Sequence, residues 1–337
     1  MMCAEVGLIL EEKSLNSRKM NSKKRPMIVL TGPTAVGKTK LSIALAKAVN
    51  GEIISADSMQ VYRHMDIGSA KITLEEMQGV PHHLIDVLEP WDEFNVVVFQ
   101  KMCEKCLSGI YERGHIPIVT GGTGFYIQAL LKDIDFTENE EDKSYRKHLE
   151  QLAQENGAEY LHQMLFQVDP EAAGAIHANN IKRTVRALEF FHLTGEKISD
   201  HNEKEKEKGS AYNSCYFVLN APRDLLYERI EQRIDEMLEM GLVEEVKALR
   251  EMGCHRGMVS MQGLGYKEVL GFLEGEMSLK NAVEILKRDT RHFAKRQLTW
   301  FRREKDVIWV NKDEFDYDEV RILEFMLEKL KEQEIIQ

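Results

Sequence analysis

Hydrophobic and polar positions switch between two periods along the first half of the chain. Met27–Thr31 (MIVLT) is a short apolar, partly β-branched run, the pattern of a strand buried on both faces. GPTAVGKT follows at 32–39, and LSIALAKAVN then repeats its apolar residues at helical spacing. Residues 52–55 predict a second strand, with Asp57 just past its end. A polar, turn-rich stretch containing PHHLID leads to NVVVFQKMCEKCLSGIYERG, read as a helix from Asn95. Ile116–Thr120 (IPIVT) predicts a third buried strand, followed by GGTG and a helix over FYIQALLKD. Strand and helix alternate with glycines at the turns, which predicts an α/β fold: a parallel sheet flanked by helices.

The pattern changes at about Thr137. From there to Thr194 the sequence is charged and helix-prone, and it closes on HNEKEKEKG, read as a solvated polar run. Cys215–Asn220 (CYFVLN) restores the strand pattern, and long helices are expected from Arg223 and Ser278. The expected organisation is a core of 26–136 and 210–312, an all-helical insertion at 137–205, and an acidic C-terminal helix at 313–337. Residues 1–25 hold acids inside their only apolar stretch and no cleavage-site pattern, so they read as a disordered extension and not as a secretory signal.

Length agrees with two lobes, since 337 residues exceed what one core usually holds. No apolar run reaches the roughly 20 residues that a membrane span needs. Five cysteines, an odd number in a long chain, argue against a disulfide framework and for a reducing compartment, so a cytoplasmic location is expected. The net charge of −11 argues against non-specific coating of DNA, but the charge is unevenly spread. Residues 286–305 hold eight Lys/Arg against two acids, whereas Asn311 to Gln337 hold nine acids against four bases.

GPTAVGKT fits the pattern G-x-x-x-x-G-K-[ST] in full, between a predicted strand and a predicted helix. Gly32, Pro33, Thr34, Ala35, Val36, Gly37, Lys38 and Thr39 are therefore read as a phosphate cradle. The two glycines let the chain wrap so that N–H groups point inward, the helix adds its positive end, Lys38 adds a charge, and Thr39 offers a hydroxyl to Mg²⁺. The loop specifies linked phosphates and leaves their carrier open; a nucleoside triphosphate such as ATP is the commonest. Two features argue against an ordinary ATPase. IPIVT runs into GGTG without an acid, and the acid nearest the cradle is Asp57, followed by Ser58, Met59 and Gln60. Strand ends line the ligand crevice of an open parallel sheet, which would bring Asp57 and Thr123 to the phosphates. A strand-end aspartate serves equally well as a turn former.

Six segments agree in identity and order with one family: GPTAVGKT, ISADSMQVYRHMDIGSAK, PHHLID, GGTGFYI, RIEQRIDEML and FAKRQLTWFR. From about Met27 to Trp309 the chain resembles the tRNA dimethylallyltransferase (tRNA isopentenyltransferase) family, of bacterial type because no C-x₂-C…H-x₃-H zinc pattern follows. The resemblance implies a P-loop NTPase-like core. It implies transfer of a dimethylallyl group from its diphosphate to the exocyclic amine of the adenosine 3′ of the anticodon. The product would be N6-(dimethylallyl)adenosine, with diphosphate released. It casts Asp57 as the general base and Thr34 and Thr123 as residues that orient the diphosphate and the reacting base. Arg233, with Arg229 one turn earlier, would clamp the diphosphate. Both arginines lie beside the apolar stripe Leu226–Ile230–Ile234, where a surface arginine is the alternative. The same resemblance implies tRNA contacts at Asp57–Gln60 and Thr123, and on the insertion at Arg146, Ile181, Lys182, Arg183, Thr184 and Val185. Arg288, Arg291 and Lys295 fall near one face of the basic 286–305 segment, as an RNA-binding surface or a solvated amphipathic helix.

The expected partners are a tRNA anticodon stem-loop and dimethylallyl diphosphate, met by a monomer. Three other readings compete: an enzyme prenylating free AMP, ADP or ATP, a P-loop small-molecule kinase, and a non-catalytic RNA-binding protein. The helical insertion and basic segment favour tRNA, and the intact Gly-Lys-Thr with Asp57 favours catalysis. Cys103 and Cys106 form a lone C-x-x-C inside a predicted helix, and His82–His83 lack a third ligand, so neither is read as a metal site.

Overall fold

A computed structural model describes residues 24–136 and 144–337. Most of the expected 1–25 extension, and residues 137–143 of the expected insertion, lie outside the described residues. Six strands form one sheet: β1 (Pro26–Thr31), β2 (Gly51–Ser55), β3 (His82–His83), β4 (Ile116–Gly121), β5 (Asn213–Asn220) and β6 (Val307–Asn311). Their order is β3-β2-β4-β1-β5-β6, and every pairing is parallel. The register places Thr31 beside Gly121 and Ser55 beside Thr120, so the carboxyl ends of β1, β4 and β2 finish side by side.

The strands read as continuous apolar runs because both faces are covered. Ile28, Leu30, Ile118, Phe217 and Leu219 share one core with Leu41 and Leu45 of the helix Lys38–Val49 and with Ile322, Met326 and Leu330 of the helix Glu319–Glu332. Each such side chain contributes about 1.5–3 kcal/mol on leaving water. The acidic C-terminal helix thus carries an apolar face that is part of the sheet's core. Local signals set the helix starts: Asn95 accepts from Val97 N–H at 2.9 Å and Val98 N–H at 3.0 Å, opening Val96–Glu112.

The chain divides into two compact units, one running to Gln128 and resuming at Ala211–Gln337, the other Ala129–Ser210. These limits lie outside the expected 137–205 on both sides. Within the second unit, Leu149, Leu161, Leu165, Val185 and Leu188 pack together from the helices Ser144–Asn156, Ala158–Val168 and Ile181–Thr194. Asp169 joins two further helix starts by accepting from Ala172 N–H at 2.9 Å and Ser199 N–H at 3.0 Å.

Three differences from these expectations stand out. The PHHLID segment was expected as a turn, but His82–His83 pair with Ile53 and Ile54 as the edge strand β3. Val307–Asn311 was not expected as a strand; it pairs with β5 as β6. HNEKEKEKG was expected as a solvated run; its first seven residues lie within the helix Ile198–Glu207, where Asn202, Glu203, Lys204 and Glu207 are exposed. The basic 286–305 segment was expected as one amphipathic helix, but the helix spans Leu279–Phe301 and ends at Arg302, its C-cap.

Candidate active site at the carboxyl ends of the strands

The cradle leaves β1 and enters the helix Lys38–Val49 through backbone that glycine favours, with φ of 148° at Gly32 and 92° at Gly37. Lys38 folds over the loop and donates through Nζ to the carbonyls of Gly32 and Pro33, both at 2.9 Å. Burial pushes the Lys38 ammonium down to about 8; the Asp57 charge opposes that shift and Arg233 reinforces it. An ammonium so placed gains from any anion that enters the loop. The Thr39 hydroxyl opens the helix and has no hydrogen-bond partner among the described residues, which suits a hard oxygen ligand for a cation.

Asp57 stands past the end of β2. Its Oδ1 accepts from Met59 N–H at 2.8 Å, which makes it a turn former, while no protein group donates to Oδ2 among the described residues. The two readings of this strand-end acid are compatible: one oxygen holds the turn and the other is available. Gln60, expected to contact a base, uses its amide internally: Oε1 accepts from Ser55 at 3.2 Å and Nε2 donates to the Ala70 carbonyl at 3.3 Å. Ser58 and Met59 are part-buried in the same turn. Glu245 holds the segment that follows, accepting from the N–H groups of Asp66, Ile67 and Gly68 at 2.9, 2.7 and 3.0 Å.

The turn after β4 completes the crevice. Thr123 donates its N–H to the Ala56 carbonyl at 3.3 Å and begins the helix Gly124–Lys132, so it sits beside Asp57. Burial, with the Asp57 charge in support, pushes the Tyr126 phenol up to about 12. Arg233 reaches in from the helix Arg223–Glu239, with its guanidinium 3.5 Å from the Thr34 hydroxyl and among the charges that act on Lys38. Its burial lowers its pKa while Asp57 raises it, which is the behaviour of a cation held in a crevice and not of a surface arginine. Arg229 does not join it. Its guanidinium lies over the Tyr317 ring, 5.9 Å from the centroid, on the flank where Lys312 sits.

Two residues at this site escaped the sequence reading. Lys312 is 4% exposed, with Nζ 3.5 Å from the Val36 carbonyl on the outer side of the cradle. Gln297 is 7% exposed, accepts from Thr34 N–H at 2.9 Å and donates to the Gly122 carbonyl at 3.0 Å. A signal for Gln297 was present: it is an amide among Ala294 and Phe301 on the buried stripe of its helix. Among the described residues no three His, Cys, Asp or Glu side chains cluster to hold a metal, and burial raises the pKa of both Cys103 and Cys106.

The IPP transferase family model matches residues 60–304, and the isopentenyl transferase model matches 26–87. A tRNA dimethylallyltransferase of Lachnoclostridium phytofermentans is 62% identical over 312 residues, covering 93% of this chain and 99% of the relative. Its counterpart in Acetivibrio thermocellus is 52% identical over 293 residues, covering 87% and 94%. The chain belongs to the tRNA dimethylallyltransferase family. The solved tRNA isopentenylpyrophosphate transferase of Bacillus halodurans is 45% identical with a TM-score of 0.69, covering 92% of this chain and 98% of that one. A eukaryotic dimethylallyltransferase captured acting on tRNA gives 32% identity and a TM-score of 0.74, covering 85% and 74%. Membership makes the chain a prenyltransferase with a P-loop NTPase-like sheet, and it favours tRNA over a free nucleotide as the acceptor.

The tRNA contacts inferred from the family resemblance divide into three groups. Lys182 and Arg183 are exposed at the start of the helix Ile181–Thr194. Thr184 and Val185 are corrected: both are buried, Val185 in the second unit's core and Thr184 with its hydroxyl on the Asn180 carbonyl, so their side chains do not reach a surface. Ile181 packs against that core as well. Arg146 is held by Glu189 at 3.0 and 2.6 Å within the same unit. On the basic helix Arg288 pairs with Asp289 and Arg291 with Glu231, whereas Lys295 and Arg296, and Arg302 and Arg303 just past its end, have no carboxylate partner among the described residues. His292, Lys295, Arg296, Thr299, Trp300 and Arg303 line an open groove there. No helix among the described residues is long and apolar enough to cross a membrane.

Proposed function

We propose that this site transfers the dimethylallyl group of dimethylallyl diphosphate to the exocyclic amine of the adenosine 3′ of the anticodon. One observation carries the reading: Lys38, Arg233 and Asp57 converge at the carboxyl ends of β1 and β2, the two strands that flank β4, two cations facing one acid. The cations suit a diphosphate that leaves with the electron pair of its bond to the allylic carbon, because they neutralise charge that grows as that bond breaks. Thr34, beside Arg233, orients the diphosphate. The adenine amine is a weak nucleophile; as its nitrogen bonds to the allylic carbon it gives up one proton, and Asp57 takes it. Thr123, on the turn beside Asp57, orients the base, which must leave the stacked anticodon loop to reach the crevice. Thr39, with diphosphate oxygens and water, would hold Mg²⁺, whose charge further favours the leaving group. A tRNA acceptor fits a cytoplasmic enzyme, and a monomer suffices for a site whose residues all come from one chain.

The test supplies labelled dimethylallyl diphosphate with either unmodified tRNA or AMP, without ATP. Label in tRNA and equimolar diphosphate are expected. Label in AMP alone would make the chain a free-nucleotide prenyltransferase, and transfer that requires stoichiometric ATP turnover would overturn the diphosphate reading of the cradle.

A further inference from the structure

We propose that Gln297 is a positioning residue, a latch that sets the spacing between the diphosphate cradle and the turn that carries Thr123. The proposal rests on the transfer reading above. Gln297 stands on the buried stripe of the helix Leu279–Phe301, where an unpaired amide would be unfavourable. Both ends are paired, and to different loops. Oε1 accepts from Thr34 N–H, and Nε2 donates to the Gly122 carbonyl. The orientation is fixed by chemistry, because a backbone N–H can only donate and a carbonyl can only accept. The contact is close enough that a Cβ on Gly122 would overlap the amide, which is a reason for glycine at that position.

These bonds belong to a longer chain of contacts. Thr34 stands on the leaving-group side, with Arg233 beside it. Gly122 is followed by Thr123, whose N–H binds the Ala56 carbonyl one residue before Asp57. The route from leaving group to base is thus Thr34, Gln297, Gly122, Thr123, Ala56, Asp57, and Gln297 is its only side-chain link. β1 and β4 already run side by side, tied by the Thr31 hydroxyl on the Gly121 carbonyl at 2.6 Å. The β1–β4 ladder ends at that pair, and the amide ties together the two loops that follow it. A second consequence concerns the cradle itself. Pro33 has no N–H and that of Thr34 is engaged by Gln297, so the donors left for an anion lie further along, towards Gly37 and the helix N-terminus.

The experiment compares the wild type with Gln297→Met and Gln297→Glu in steady-state transfer to tRNA. Methionine keeps the length and burial and removes both hydrogen bonds. Its kcat is expected to fall by about 10–100-fold with KM for tRNA within about threefold, since misplacement near 1 Å can lower the rate about 100-fold. Glutamate keeps the acceptor for Thr34, but when ionised it sets a negative charge against the Gly122 carbonyl. When protonated it offers one acceptor and one donor, as the amide does. The ratio of Gln297→Glu to wild-type kcat should therefore climb as pH falls from about 8 to about 6, while a buried carboxyl gains its proton. If Gln297→Met does not fold, that ratio decides, measured where thermal melting shows the Gln297→Glu protein folded. A flat ratio, or a Gln297→Met kcat within twofold of wild type, sinks the latch alone. Wild-type protein that labels no tRNA sinks the transfer reading and the latch with it.

Discussion

Lys38 lies with its ammonium on the carbonyl of Gly32, 2.9 Å away, at the mouth of the loop that it would serve. The lysine thereby neutralises the loop's own carbonyl dipoles. An arriving diphosphate offers full charges in their place, so the ammonium can turn from backbone to ligand with a net electrostatic gain. Arg233 stands on the same side, and the two cations disfavour one another until an anion comes between them.

That arrangement makes donor binding pH-dependent. Burial holds the free Lys38 near 8, and a bound diphosphate raises it, so binding takes up a proton once the pH exceeds about 8. Affinity for a dimethylallyl diphosphate analogue should then fall by up to about tenfold per pH unit above that point. Lys38→Arg should abolish the slope by staying charged, and Lys38→Ala should be weak at every pH. Calorimetric titration between pH 7 and pH 9.5 reads this directly, and an identical slope in Lys38→Arg would assign the proton to another group.

Asp57→Asn should separate chemistry from binding. The amide can still accept from Met59 N–H, so the turn and the tRNA surface survive, but the proton acceptor is lost. Turnover should drop by about 10²–10⁴-fold, the usual worth of a general base, with affinity for the stem-loop nearly unchanged. Near-normal turnover in this variant would leave Asp57 as a turn former only.

The parts of the fold that were legible in the sequence share one property: their signal is local. MIVLT, IPIVT and CYFVLN are long enough to show as apolar runs, and Asn95 caps the helix that its position suggests. β3 has two residues, so no alternation can be seen in it; it forms because Ile53 and Ile54 offer an open edge and because His83 meets Glu52. β6 follows a charged corner and pairs only with β5, a partner close to a hundred residues earlier. Thr184 and Val185 looked available because a motif does not say which side of a helix faces inward. Gln297 and Lys312 join the cradle from far along the chain, and only the closed fold reveals them.

Glu52 predicts how the core fails in acid. Its carboxylate is buried at the start of β2 and accepts from Arg113 at 2.8 Å, with His115 and His83 at 2.6 Å. Arg113 is the main reason that its carboxyl falls from 4.5 to about 2. A depressed carboxyl stabilises the fold at any pH above its unfolded value and loses that contribution as pH drops from about 4.5 through about 2. Glu52→Gln should therefore melt at a lower temperature at neutral pH, and its melting temperature should fall less than that of wild type across the acid range. Parallel melting curves for the two proteins would show that other carboxylates govern acid unfolding.

The basic helix gives the sharpest test of where RNA lies, because its cations are not equivalent. Arg291 is bound to Glu231 at 2.5 Å and Arg288 to Asp289 at 2.8 Å, so using either for a phosphate means giving up a carboxylate. Lys295 and Arg303 line the groove beside Trp300 without such a partner and are exposed. A phosphate that replaces only water releases counterions at little expense, whereas one that must displace a carboxylate gains much less. Lys295→Ala and Arg303→Ala should each lower stem-loop affinity and reduce the slope of log K against log salt by about 1. Arg288→Ala and Arg291→Ala should leave that slope nearly unchanged, and donor binding should be unaffected in all four. The measurement is stem-loop affinity by fluorescence anisotropy across a salt series. If the paired arginines carry the slope and Lys295 and Arg303 do not, the RNA crosses the other face of the helix and those ion pairs open to receive it.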